Sequence, residues 1–301
     1  MIDIIRGAIS QGLLWSIMAI GIYITYRILD ISDLTSEGSF ALGAATLASL
    51  TVSGAHPLLA LLLSAIAGGI AGLITGLMHI KLKIPTLLAG ILSMTGIYSI
   101  NLRIMGKANV SLNNQETILS TVADFLGLAK ERDAALIVGL FFSIIVILLL
   151  YLLLNTELGY AIRATGTNEN MIRASGVNTN FTKVLGLMIG NALIALSGGL
   201  VCQYNGYADV AMGIGAIVIG LASVIIGEVF FGKNKIFLSL LGVIIGSIIY
   251  RIIVTLVLRA GFPANDMRLF TAILVAIAIS LPQLKTNLQC LIHKNKEDDL
   301  C

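Results

Sequence analysis

Three acidic residues lie inside or at the edges of long apolar stretches, where burying a charge is energetically costly. Glu37, Asp209 and Glu228 have this setting, and ionisable groups in apolar surroundings usually face a cavity, a partner or a path for ions or solutes. We predict that the three acids line such a path together with nearby polar residues, which are Ser36, Ser39 and Tyr207. The alternative for Glu37 and Glu228 is an interfacial or capping role, and for Tyr207 and Asp209 an ordinary polar loop.

The sequence patterns that carry enzymatic chemistry are missing. The segment Met105-Gly106-Lys107-Ala108 lacks the first glycine and the hydroxyl of a phosphate-binding loop. The three histidines, which are His56, His79 and His293, are too far apart to form a zinc-protease pair. No Gly-x-Ser-x-Gly nucleophile motif occurs. We therefore predict that the chain is not an enzyme and binds no metal or cofactor of its own.

A polar segment between two strongly apolar stretches has the pattern of a short docking helix. Thr167 or Asn168 can cap its start, and Gly176 suits the position just after its end. About eight helical residues form a rod of about 12 Å. The side chains available for docking are Arg163, Glu169, Met171, Ile172, Arg173 and Val177. We predict that this helix enters a groove on a partner, and the alternative is a solvated linker.

The elements that position these residues have the composition of membrane helices. Hydrophobic residues make up 57% of the 301 residues and charged residues 12%, and the mean hydropathy is +0.97. A soluble domain with so few charges would lack a polar surface, since about 25% is usual, and the apolar content excludes disorder. A net charge of +3 without a basic stripe argues against nucleic-acid binding. Three cysteines are too few and scattered for a disulfide framework.

Uncharged stretches delimit the expected spans, which are 7–26, 38–80, 84–102, 134–156, 184–208, 210–227, 236–250 and 269–284. A turn signal at 53–57 divides the second stretch, and a spanning helix needs about 20 apolar residues. The stretches do not alternate in polarity as barrel strands do. We predict an all-α polytopic transmembrane helical bundle of about 8–10 spans, forming a single domain over 1–301. Its first helix is retained rather than cleaved as a signal peptide.

Lysines near the helix ends predict the orientation. If 155–183 is cytoplasmic and each stretch crosses once, three basic clusters fall inside with it, namely Lys81 and Lys83, Lys233 and Lys235, and the tail 285–301. The segment 103–133 then falls outside. The N-terminus is external if 38–53 crosses the membrane, and a re-entrant segment there reverses it.

Two glycine-interrupted apolar segments, 33–54 and 209–232, occupy corresponding positions in the two halves of the chain. Each begins with an aspartate and precedes a long helix. Such pairs often mark transporter binding sites, so we predict an inverted repeat whose two segments enter from opposite faces.

Glycines spaced by four, at 68–76, 186–190 and 242–246, predict close helix packing rather than a homodimer seam. Arg251, inside an apolar helix, needs a carboxylate or carbonyl partner.

The polar segment also carries a family resemblance. The pattern Gly159-x3-Arg163-Ala-x-Gly166-x-Asn168-x4-Arg173-x2-Gly176-Val177 is similar to a loop of bacterial ABC importer permeases of the branched-chain amino acid and ribose superfamily. The permeases paired with tryptophan- or tyrosine-type binding proteins are the most similar branch. A second similar element begins Asp33-Leu-Thr-Ser-Glu37-Gly38, although Glu37 stands where many relatives have a neutral residue. The resemblance covers essentially the whole chain and implies that 157–182 is a cytoplasmic coupling loop contacting an ATPase.

The resemblance implies a transmembrane importer subunit in the bacterial plasma membrane. Its partners would be a separate ATPase that binds ATP and Mg, an extracytoplasmic substrate-binding lipoprotein, and a second permease copy or a homologous permease. The solute would be small and polar, an amino acid, with an aromatic one first, ahead of a sugar or nucleoside. Two other classes stay open, an ion-coupled secondary transporter that uses Glu37, Asp209 or Glu228, and a membrane scaffold or regulatory subunit.

Overall fold

The structure, a computed structural model, describes residues 2–113, 115–127, 131–232, 235–261, 269–273 and 276. The helices in these ranges are α1 Ile2–Ile22, α2 Thr35–Val52, α3 Pro57–Lys81, α4 Thr86–Met105, α5 Ile118–Leu126, α6 Glu131–Leu154, α7 Glu157–Thr167, α8 Glu169–Ala174, α9 Thr179–Asn205, α10 Ala216–Phe231 and α11 Ile236–Arg259. A π-helical segment, Tyr23–Ile28, continues α1. Two short strands, β1 Asn109–Ser111 and β2 Tyr207–Asp209, pair antiparallel. The predicted all-α bundle is confirmed.

Six helices in the described residues are long and apolar enough to cross a membrane. They are Asp3–Ile28, Pro57–Lys81, Thr86–Met105, Asp133–Leu154, Thr179–Asn205 and Ile236–Arg259. The two glycine-interrupted segments form the shorter helices α2, with 18 residues, and α10, with 16. The predicted total of about 8–10 spans includes the stretch 269–284, which lies largely outside the described residues, as do Lys233 and the tail 285–301.

The bundle has two ends, one formed by α7 and α8 and the other by the strand pair, here called the α7–α8 end and the β end. Gly7 near the start of α1 faces the Tyr204 hydroxyl beside β2, whereas Gly166 of α7 packs against Ile28. Helix α1 therefore runs from the β end to the α7–α8 end. Because Gly76 of α3 contacts Val184 near the start of α9, the α3–α4 turn with Lys81 and Lys83 also lies at the α7–α8 end.

Helices α1 and α9 form the buried centre, and small residues let their neighbours approach closely. A Cβ on Gly68 of α3 would collide with the Asn191 carbonyl of α9, and one on Gly72 with the Leu187 carbonyl. Gly242 and Gly246 of α11 face the α10 backbone in the same way. The glycine stripes thus pack helices within this chain, as predicted.

Helices α2 and α10 both begin inside the bundle and run in opposite directions. The loop before α2 extends from Leu29, which packs on Gly186, to Asp33, which bonds Asn191 further along α9. Gly43 then packs on Ala195, so α2 ends towards the β end. Helix α10 begins next to Glu37 of α2 and ends near Arg27, at the α7–α8 end. The two interrupted segments therefore have the opposed directions expected of an inverted repeat.

Candidate translocation pathway and coupling site

The N-termini of α2 and α10 meet at Glu37. This residue lies in the first turn of α2, and its Oε1 accepts a hydrogen bond of 2.9 Å from the backbone N–H of Gly215. Gly215 precedes α10 with φ +83°, a left-handed conformation that suits glycine. Unpaired N–H groups give a helix N-terminus a partial positive charge. The carboxylate of Glu37 therefore caps α10 and joins the two broken helices.

A cavity of about 260 Å³ opens beside this junction. It lies between α2, α4 and the β2–α10 loop, and its walls are formed by Glu37, Gly38, Ala41, Met94, Thr95, Tyr98, Asn101, Val210, Gly213 and Ile214. The α4 residues recur at intervals of three or four, so they share one helix face. Gly213 packs so closely on Glu37 that a Cβ would collide with the Glu37 carbonyl. We call this space the central cavity.

A buried polar network next to the cavity fixes the start of α2. The Asp33 carboxylate accepts hydrogen bonds from the Thr35 N–H at 2.9 Å and the Asn191 amide at 2.6 Å. Ser39 donates to the Asn191 amide oxygen at 2.7 Å, and Ser36 donates to the Asp33 carbonyl at 2.8 Å. The structure therefore places both predicted serines in the packing of α2, not on the wall of the central cavity.

Tyr207 and Asp209 belong to β2 at the β end, and neither lines the central cavity, although the next residue, Val210, does. Asp209 Oδ2 accepts a hydrogen bond from the Asn109 amide of β1 at 3.2 Å, and its Oδ1 accepts one from the Ala211 N–H at 2.8 Å. Tyr207 is exposed. The bond from Asn109 ties the α4–α5 connection to the α9–α10 connection, and the exposed Tyr207 ring lies beside it at the β end.

Glu228 lies at the opposite end and forms an ion pair with Arg27 of the π-helical segment, at 2.6 Å. A second cavity of about 250 Å³ adjoins this pair, lined by Tyr23, Arg27, Ile28, Arg163, Thr167, Glu228, Ile236 and Ser239. The three predicted acids therefore do not line one common cavity: Glu37 lines the central cavity, Glu228 lines the second one, and Asp209 lines neither. Arg27 and Glu228 are far apart in the sequence, so their pairing could not be predicted from it. The only hint was that Arg27 is a cation at the edge of an apolar stretch.

The predicted docking helix is α8, with six residues rather than about eight. Asn168 is its N-cap, because the Asn168 side chain accepts a hydrogen bond from the Met171 N–H at 3.0 Å. Thr167 ends α7 instead, because the extended backbone of Asn168 separates the two helices. Gly176 has φ +86°, and the bonds Gly176 N–H to Arg173 and Val177 N–H to Ile172 complete a Schellman motif. The predicted stop signal is confirmed.

Glu169 anchors α8 to the rest of the bundle. Its carboxylate binds Lys183 of α9 and Arg173 of α8, each at 2.6 Å, and accepts a hydrogen bond from the Thr179 hydroxyl. The pKa of Glu169 is lowered, first by the hydrogen bond from Lys183 and also by the positive charges of Lys183 and Arg173. Partial burial of the carboxylate opposes this shift. None of the α8 side chains is buried, and Met171 is 57% exposed. Glu169 therefore fixes α8 to α9, while the side chains of α8 stay partly or fully exposed.

Helix α7 connects α8 with the membrane helices. A Cβ on Gly166 would collide with the Ile28 carbonyl, and one on Gly159 with the end of α6 at Leu153. The guanidinium of Arg163 lies over the Tyr160 ring at 5.6 Å and also lines the cavity beside Glu228. The predicted loop residues thus divide into two glycines of α7 that pack against neighbouring backbone, Arg163 of α7 at the second cavity, and the side chains of α8, none of which is buried.

Arg251 of α11 rests on an aromatic ring. Its guanidinium lies 4.0 Å from the centre of the Trp15 ring and donates to the Gln11 amide oxygen at 3.5 Å. A cation–π contact stabilises a cation more strongly where water is excluded. The long contact with Gln11 is of the carbonyl type that the sequence predicted, whereas Nε and Nη2 of Arg251 have no hydrogen-bond partner within the described residues.

Two short helices that meet at a cavity inside a bundle of long apolar helices are an arrangement typical of transporters. Residues 4–278 match the family described as the branched-chain amino acid transport system permease component. The chain belongs to this family.

Two relatives and one solved structure are similar to the chain over most of its length. A tyrosine transport system permease protein of Clostridioides difficile is 41% identical over 95% of this chain and 93% of its own. An uncharacterized protein of Rickettsia prowazekii is 34% identical over 92% and 97%. A structure assigned to an inward-facing metal-chelate type ABC transporter covers 94% of this chain and 85% of its own, with 14% identity and a TM-score of 0.48.

Proposed function

We propose that this chain is the transmembrane subunit of an ATP-binding-cassette importer in the bacterial inner membrane, and that it carries an aromatic amino acid. Membership of the permease family supports the transport role. The 41% identity to a tyrosine transport permease over nearly the full length supports tyrosine as the first solute to test. The observation that carries the coupling role is α8, an exposed helix capped at both ends and bonded to α9 through Glu169.

The partners follow from this role. The ATPase, which binds ATP and Mg, docks on α8 from the cytoplasm, and the extracytoplasmic binding lipoprotein docks at the β end. A second copy of the chain or a homologous permease completes the pathway. Lys81 and Lys83 lie at the same end of the bundle as α8, in agreement with the excess of basic residues in cytoplasmic loops.

Movement of α8 reaches the central cavity through a short series of contacts. Helix α7 packs on the π-helical segment at Gly166, and Arg27 of that segment binds Glu228 of α10. The other end of α10 is held by Glu37. A helix of 16 residues is about 24 Å long. Closure of the ATPase would therefore tilt α10 and open or close the junction at Glu37.

Reconstitution into liposomes with the cognate ATPase and binding lipoprotein tests the proposal. We expect uptake of radiolabelled L-tyrosine that requires ATP and is unaffected by a protonophore. A Walker-lysine variant of the ATPase is the control, and it should abolish uptake. Uptake that persists without the ATPase and stops with the protonophore would instead identify an ion-coupled secondary transporter.

A further inference from the structure

The central cavity contains a buried amide with no hydrogen-bond partner in the described part of the chain. Asn101 of α4 is 1% exposed, and neither its Oδ1 nor its Nδ2 is bonded there. Nearly all buried polar side chains in proteins have a partner, because desolvation without one is unfavourable. Asn101 belongs to the wall of the cavity, so a rotation of its side chain would turn this buried, unbonded amide towards an occupant.

Glu37 supplies a negative charge to the same cavity. In the described residues no Lys, Arg or His lies within ion-pair distance of its carboxylate, which accepts a hydrogen bond from Gly215. A carboxylate has about four acceptor sites on its two oxygens, so capacity for a further donor remains. Because Glu37 already caps α10, the positive end of that helix is not available to attract an anion.

The remaining walls of the cavity restrict the chemistry of its occupant. Ala41, Met94, Tyr98, Val210 and Ile214 offer mainly carbon surface. A sugar would leave most of its hydroxyls unpaired against these walls. A Ca²⁺ ion needs at least six oxygen ligands, and the cavity offers the side-chain oxygens of few residues. An organic ammonium group with an apolar or aromatic body satisfies both the acid and the walls.

We propose that Glu37 and Asn101 form a recognition site for the protonated amino group of the transported solute. Glu37 pairs with the ammonium charge, the Asn101 carbonyl oxygen accepts one of its N–H groups, and the solute's side chain lies against Met94 and Tyr98. A cavity of about 260 Å³ is slightly smaller than typical drug-sized sites of about 300–1,000 Å³, which suits a single amino acid. The inference rests on the proposed function, since it assigns the permease itself a part in selecting the solute.

Equilibrium binding to the purified permease–ATPase complex in lipid nanodiscs, without nucleotide or binding lipoprotein, tests the site. The probe is tritiated tyramine, which has the amino group but no carboxylate. The competitors are L-tyrosine and 3-(4-hydroxyphenyl)propionate, which lacks the amino group. We expect saturable tyramine binding that L-tyrosine displaces and the propionate does not.

Two near-isosteric variants, Glu37→Gln and Asn101→Leu, should each weaken tyramine binding about tenfold or more, as expected for lost bonds to a charged group. The amide oxygen of Glu37→Gln still accepts from Gly215, so the helix junction is kept. Glu116→Gln, which removes an exposed carboxylate outside the cavity, should bind as the wild type does. Size-exclusion profiles and thermal unfolding temperatures verify that each variant is folded.

The outcomes separate this site from the transport proposal. Absence of saturable tyramine binding to the wild type, equal displacement by the propionate, or unchanged affinity in both variants would overturn the site, whatever the uptake assay gives. Amine binding that depends on Glu37 and Asn101, in a complex that shows no ATP-driven uptake, would support the site and refute the importer role.

Discussion

At the scale of single residues, the hydrogen bond from Asn191 to Asp33 holds the start of α2 against α9. Asn191→Leu would leave the Asp33 carboxylate, 3% exposed, without its amide donor and Ser39 without its acceptor. A lost hydrogen bond to a charged group costs about 1.5–3 kcal/mol. We therefore expect a clearly lower thermal unfolding temperature in detergent. Asn180→Leu, on the exposed start of the same helix, should leave it nearly unchanged, and equal effects would contradict this account.

Glu169 makes the attachment of α8 dependent on pH. Its pKa is lowered in the folded protein, mainly by the hydrogen bond from Lys183. The stabilisation is therefore present above the ordinary glutamate pKa of about 4.3 and is lost as the pH falls through the lower folded value. We expect hydrogen–deuterium exchange of 168–177, corrected for the intrinsic effect of pH, to rise about two- to fivefold across that range, as for a partly exposed ion pair. Glu169→Gln should show the faster exchange at neutral pH and no such transition.

At the scale of elements, Gly166 sets the distance between α7 and the end of α1. In Gly166→Ala the new Cβ collides with the Ile28 carbonyl, and such overpacking typically costs about 1–3 kcal/mol. Because α8 itself is unaltered, we expect binding to the ATPase to persist while tyrosine uptake per ATP falls severalfold. Gly96→Ala in α4, where a Cβ meets nothing within 4 Å, is the matched control. Loss of ATPase binding in Gly166→Ala would show that the glycine shapes the docking surface instead.

The same elements show which features were predictable from the sequence. The caps of α8 are local, since Asn168 and Gly176 act on backbone groups within five residues, and local rules located both of them. The meeting of α2 and α10 is not local. Glu37 accepts a hydrogen bond from a backbone N–H 178 positions away. Because nearly every residue has such a donor, the sequence does not indicate which one Glu37 binds. Asn101 was missed because one amide in an apolar helix is usually a packing residue.

At the scale of the whole molecule, α10 extends from the junction at Glu37, beside the central cavity, to the α7–α8 end. Its C-terminal turn binds Arg27 and its N-terminus is capped by Glu37. A rigid helix held at both ends transmits a displacement rather than absorbing it, and coupling between sites requires such an element with two arrangements. The permease mechanism proposed here therefore depends on two polar contacts, one at each end of one short helix.

A charge swap tests the contact at the α7–α8 end. The single variants Arg27→Glu and Glu228→Arg each place like charges where an ion pair of 2.6 Å exists, so both should lower ATP-driven tyrosine uptake at least about tenfold, given that like charges in contact cost more than 1.4 kcal/mol. The double swap restores an attractive pair, and contacting residues show coupling energies of about 0.5–3 kcal/mol in a double-mutant cycle. We expect the double variant to recover a substantial part of the uptake and of the uptake per ATP, with ATPase binding equal in all four proteins. Losses that simply add would mean that the pair does not transmit the motion of α8 to α10.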